Sequence, residues 1–195
     1  IDIVNALLSQ ESIDVNKART NNGATPLYIA CQEGHTDIVN ALLSQESIDI
    51  NIATTYSGQT PLYRACLLGH TDIVNALLSQ ESIDINKART NDGATPLYIA
   101  CSEGHTDIVN ALLSQESIDI NATTELGKTP LYAACQEGHT DIVNALLSKK
   151  TIDINKAAAD LGKTPLYVAC YQGHTDIVNA LLSQESIDIN KARTD

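Results

Sequence analysis

The sequence predicts an all-α solenoid of stacked helix pairs with projecting β-hairpin-like loops, and three observations carry that expectation. The tetrapeptide Thr-Pro-Leu-Tyr begins at Thr25, Thr60, Thr95, Thr129 and Thr164, at spacings of 35, 35, 34 and 35 residues, and a period of this length marks a repeat array. Each unit holds two short apolar patterns of helical period. A connector rich in turn-forming residues, with one glycine, joins each unit to the next.

In the first helix of each unit, Thr25 and its equivalents serve as N-caps. Pro26 takes the first helical position, where its missing N–H costs nothing. The helix stops at Gly34. The second helix opens near Thr36 and Asp37, whose oxygens are expected to cap it while the carboxylate complements the helix dipole. It carries IVNALL as its apolar stripe and fades at Ser44 and Gln45. The connector IDINKARTNDG combines alternation, turn formers and a glycine suited to positive φ, which predicts a hairpin-like excursion.

The expected organisation is one array over residues 1–195. A partial unit, 1–24, precedes successive units 25–59, 60–94, 95–128, 129–163 and 164–195, the last ending in a truncated hairpin. The first residues lie inside a second helix and neither end carries a polar capping unit. With no methionine as well, the chain is expected to be a segment of a longer array whose open ends could stack end to end.

Composition narrows the partners. The chain has 24 acidic against 12 basic residues and a net charge of -12, which disfavours nucleic acid and anionic membrane surfaces and favours a protein of neutral or basic surface. The apolar runs are far too short for a membrane span. Nothing at the first residues resembles a signal peptide, so the sequon at Asn121 is expected to be silent. Cys31, Cys66, Cys101, Cys135 and Cys170 occur once per unit at one equivalent position. Stacked units hold such positions about 8–10 Å apart, beyond the ~7 Å reach of a disulfide. All five are therefore expected to be buried, reduced thiols in a cytoplasmic or other reducing intracellular compartment.

The pattern G-x-TPLY-x-AC-x-x-GHTDIVNALL…IDIN resembles the ankyrin repeat, whose usual form has T-P-L-H, an alanine pair, G-H and D-V-N. The resemblance spans the entire chain. It departs where Tyr28, Tyr63, Tyr98, Tyr132 and Tyr167 occupy the usual histidine position, and where QESIDIN replaces the usual glycine before the D-V-N element. The resemblance implies a curved stack of helix pairs that binds partner proteins on its concave face. It also implies that His35, His70, His105, His139 and His174 tie neighbouring units through backbone hydrogen bonds. A zinc reading of these histidines with the cysteines fails, because a glycine ends the helix between them and the next pair lies a repeat away. The segments L-x5-D-I-N ending at Asn51, Asn86, Asn121, Asn155 and Asn190 resemble the pattern accepted by an asparagine hydroxylase. Asp49, Asp84, Asp119 and Asp153 belong to the repeated connector and are expected to order turns. No one-off nucleophile, acid–base pair or phosphate loop stands out, so neither enzymatic activity nor a cofactor is expected.

Variation between units locates the expected site. On each first helix the leucine, alanine, cysteine and glycine share a core side, and three positions fall on the opposite arc. These hold Ile29, Arg64, Ile99, Ala133 and Val168; then Gln32, Leu67, Ser102, Gln136 and Tyr171; then Glu33, Leu68, Glu103, Glu137 and Gln172. The second helix reads DIVNALLS in every unit, whereas the hairpins vary again. By resemblance, helix positions after the alanine pair and hairpin residues beside the glycine make partner contacts. Leu67, Leu68, Arg64, Tyr56 and Gln59 would form one patch with the apolar and aromatic character of a binding hot spot. Asp92, Ser102, Glu103, Glu125, Leu126, Gln136, Leu161 and Tyr171 extend it along the array. The competing reading is a structural or elastic spacer whose near-identical units bind nothing specific.

Overall fold

The computed structural model describes residues 1–10, 12–159 and 161–191; the end of the truncated last hairpin lies outside them. Among the described residues the chain is all helical, with eleven α-helices and no strand. After a lone second helix, α1 (Asp2–Leu8), come five pairs: α2 (Pro26–Gln32) with α3 (Thr36–Leu43), α4 (Pro61–Leu68) with α5 (Thr71–Leu78), α6 (Pro96–Glu103) with α7 (Thr106–Leu113), α8 (Pro130–Glu137) with α9 (Thr140–Leu147), and α10 (Pro165–Gln172) with α11 (Thr175–Leu182). Helices of seven or eight residues are too short to persist alone in water. Packing between repeats is therefore what holds them.

First helices contact first helices and second helices contact second helices along the stack, and the first helices meet more extensively. The core runs between the layers, through Leu62, Ala65, Cys66, Val74, Leu77 and Ile85 and their equivalents. At the ends, where one neighbour is missing, equivalent side chains such as Ile3, Leu182 and Ile189 are exposed.

Local chemistry explains the helix boundaries. Each threonine Oγ1 accepts the N–H of the tyrosine three residues on, at 3.2 Å for Thr25 and 3.1 Å for Thr60. At the other end Gly69 adopts φ 75°, and a Cβ there would stand 2.7 Å from Cε1 of His105 in the next repeat. Positive φ and close ring contact together require glycine. That ring meets an orphan carbonyl of the previous first helix: His105 Nε2–H donates to Leu67 O at 3.3 Å, and His70, His139 and His174 donate likewise to Gln32, Ser102 and Gln136.

Two local expectations are corrected. Thr36 and Asp37 do not cap the second helix; His35 is the cap residue and makes no side-chain cap bond. The tight Gly-His reversal, in which His35 N–H reaches Ala30 O and Thr36 N–H reaches Gly34 O, starts the helix one residue early, leaving Asp37 in the first turn as the dipole's complement. Four cysteines are buried as expected, but Cys170 is exposed. It sits on α10, and the described residues place no further first helix over it. Burial pushes the Cys31 and Cys135 thiols up to about 12 and raises Cys66 and Cys101 further in the same direction.

The connectors are hydrogen-bonded turns without strands. Thr54 N–H reaches Gln59 O at 3.0 Å and Gly58 N–H reaches Thr54 O at 2.9 Å. In the 34-residue unit Thr124 N–H closes on Lys128 O at 3.0 Å, so the missing residue comes out of the tip. Tips are joined in turn by Thr55 N–H to Asn22 O, Glu125 N–H to Asp92 O and Ala159 N–H to Leu126 O, at 2.9, 2.7 and 2.8 Å. Beneath them runs a ladder of asparagines. Asn86 Nδ2 donates to Ser117 O at 2.8 Å while its Oδ1 accepts the Asp119 N–H at 2.9 Å, and Asn16, Asn51, Asn121 and Asn155 repeat both bonds.

Candidate partner-binding surface

The three columns assigned to the outward arc differ in what the fold does with them. In the first, Ile29, Arg64 and Ile99 are half-buried and Ala133 and Val168 are buried, because close packing of first helices encloses positions on their flanks. In the second, Gln32, Leu67, Ser102 and Gln136 are half-buried, and their carbonyls take the histidine ring of the next repeat. Only the third, Glu33, Leu68, Glu103, Glu137 and Gln172, faces solvent in every repeat. Leu68, 39 % exposed, is its one apolar member.

The expected patch around Leu68 opens out into a strip. Tyr56 is 79 % exposed at the hairpin tip, but the hairpin precedes α4 and Leu68 ends it, so about 10 Å of helix separates them. Between them Arg64 is half-buried, with a buried Nε that has no partner. Its charge opposes the rise that burial imposes on the Tyr28 hydroxyl pKa. Gln59 does not belong to the surface. It is buried, and its Oε1 accepts the Tyr28 hydroxyl of the previous repeat at 2.8 Å. A polar side chain beside a turn glycine suggested solvent; the tyrosine in place of the family's histidine gives it an inward partner.

Further along, Asp92 is turned toward its own hairpin, where Arg89 Nε donates to Oδ1 at 2.8 Å and the Ala94 N–H does so at 3.1 Å. The Arg89 bond holds the carboxyl below its ordinary pKa. Glu103, Glu125, Leu126 and Leu161 are exposed. Gln136 donates to Glu137 Oε1 at 2.6 Å. Tyr171 is 76 % exposed and stacks on Tyr167 with ring centroids 6.4 Å apart, Lys163 lying over both rings.

Sequence reasoning missed the system that links hairpins to tyrosines. Arg89 lies over the Tyr63 ring, 5.3 Å from its centroid, and Lys128 over Tyr132 at 5.4 Å. The signal was present as paired substitutions: Arg19 with Ala24, Thr54 with Gln59, Arg89 with Ala94, Thr124 with Lys128, Ala158 with Lys163. A long side chain comes from one hairpin position or the other, never both.

Stacked helix pairs, joined by histidine and asparagine ladders and offering one solvent-facing column of variable residues, define a solenoid repeat protein. The chain matches the family model described as ankyrin repeats (3 copies) over residues 1–89, 48–124, 84–158 and 118–193. It belongs to the ankyrin repeat family. Ankyrin repeats are generally protein–protein interaction modules and typically non-catalytic. A search of the curated proteins finds no match. Among the described residues no helix is long and apolar enough to cross a membrane.

Proposed function

We propose that the chain is a non-catalytic scaffold or adaptor module that recognises a protein partner along its concave face, on the strip from the hairpin tips to the ends of the first helices. Tyr56 and Leu68 are its anchors. Glu103, Glu125, Leu126, Leu161 and Tyr171 extend it. The observation that carries this reading is the exposure of an aromatic and a leucine at the positions where repeats differ, on a scaffold whose second helices are identical. Apolar and aromatic groups on an exposed surface are what binding hot spots use. The four buried thiols support a reducing compartment as its setting.

The test replaces Tyr56 with Asn and Leu67 and Leu68 with Gln and Glu, the residues of sister repeats. Thermal melts and pull-downs run on the same purified proteins. Stability should fall by no more than about 1 kcal/mol, since Tyr56 and Leu68 are exposed and Leu67 is half-buried, while retained partners weaken by about 2 kcal/mol or more. The second reading, a spacer without a specific ligand, rests on the second helix recurring as TDIVNALL in five repeats. A triple variant that keeps every partner favours it.

A further inference from the structure

Resting on the recognition reading above, we propose that the column closing the first helices takes an extended, polyproline-II-like segment of the partner, with one apolar side chain on Leu68 and a lysine or arginine three residues to either side. Leu68 is flanked in the same column by Glu33, the C-cap of α2, and Glu103, the last residue of α6, both exposed. Neither is neutralised by a cation, since the one ion pair among the described residues joins Arg89 and Asp92. The Glu33 carboxylate accepts only the neutral Gln32 amide. Asp72, four residues beyond Leu68, and its equivalents Asp37 and Asp107 are exposed beside the same column. Arg64, one helical turn before Leu68, is half-buried with its Nε enclosed, and His70 is turned onto Gly34 and the Gln32 carbonyl. Leu68 is thus an apolar point on an acidic edge.

Spacing sets the form of the partner. Packed neighbouring helices lie about 8–10 Å apart. A polyproline-II segment has three residues per turn and rises about 9.3 Å in that length, returning every third side chain to the same face. A β-strand alternates faces, so residues three apart point in opposite directions. Basic-x-x-apolar-x-x-basic in the polyproline-II form therefore sets its three marked side chains over Glu33, Leu68 and Glu103 together.

The experiment selects a random peptide library displayed on phage against the whole chain, counter-selects on a Leu68→Glu variant, and measures affinities of synthesised winners by fluorescence anisotropy. Circular dichroism confirms that each variant folds. Enrichment of lysine or arginine three residues on both sides of an apolar residue supports the proposal. So does weakening of about threefold for each of Glu33→Gln and Glu103→Gln, the scale of an exposed ion pair. Peptides that distinguish wild type from Leu68→Glu but lack that spacing, or ignore the glutamate variants, overturn the proposal and leave the recognition surface standing. If no peptide distinguishes the two proteins, the anchor role of Leu68 falls as well.

Discussion

Tyr63 and Tyr28 occupy equivalent positions, yet removing the hydroxyl should act in opposite directions. Tyr63 is fully buried and its hydroxyl has no partner, whereas Tyr28 donates to Gln59 at 2.8 Å. The difference traces to the following hairpin, where Ala94 stands at the position of Gln59 and Arg89 covers the ring instead. An unpaired buried polar group costs about 1–3 kcal/mol. Tyr63→Phe removes that group and keeps the ring under Arg89, so it should stabilise the fold by about 1 kcal/mol. Tyr28→Phe leaves Gln59 Oε1 buried without its donor and should destabilise by about 1 kcal/mol or more. Denaturant titrations followed by circular dichroism read both, with melting shifts of about 2–4 °C per kcal/mol for a chain of this size. A third protein, Arg89→Thr with Ala94→Gln, copies the Thr54 and Gln59 hairpin; in it Tyr63→Phe should lose its benefit. If Tyr63→Phe destabilises the original chain by as much as Tyr28→Phe, the two hydroxyls are equally satisfied and the reasoning fails.

Native thiol labelling should give one fast equivalent, from exposed Cys170, with the other four reacting only on denaturation; fast labelling of Cys101 would contradict the helix phase. Alkali should unfold the chain. The buried thiols are raised from 9.0 to about 12 at Cys31 and Cys135, so the unfolded state ionises first. The stability present below pH ~9 declines toward pH ~12 by about 1.4 kcal/mol per pH unit for each such thiol, and denaturant midpoints unchanged up to pH ~11 would refute this. Asn86→Ala removes two bonds between repeats and should cost about 1–2 kcal/mol in the same titrations; a neutral result would make the asparagine ladder incidental.

The repeat period, the threonine caps, the prolines at helix starts and the glycines at helix ends were legible because they are local and recur. Hydrogen bonds within a few residues and the sign of φ decide them, and neither depends on a distant partner. The core side of the first helix followed from the same periodicity. Tertiary structure decided what that periodicity leaves open. The three columns of the opposite arc look alike in one repeat, and only the approach of the neighbouring first helices half-buries or buries the first, half-covers Gln32, Leu67, Ser102 and Gln136 of the second and leaves Glu33, Leu68 and Glu103 in solvent. Gln59 turns inward because its partner, Tyr28, lies 31 residues away in the previous repeat. Cys170 is exposed although its sequence neighbourhood matches that of its buried equivalents, because burial in a solenoid comes from the next unit rather than from the residue's own helix.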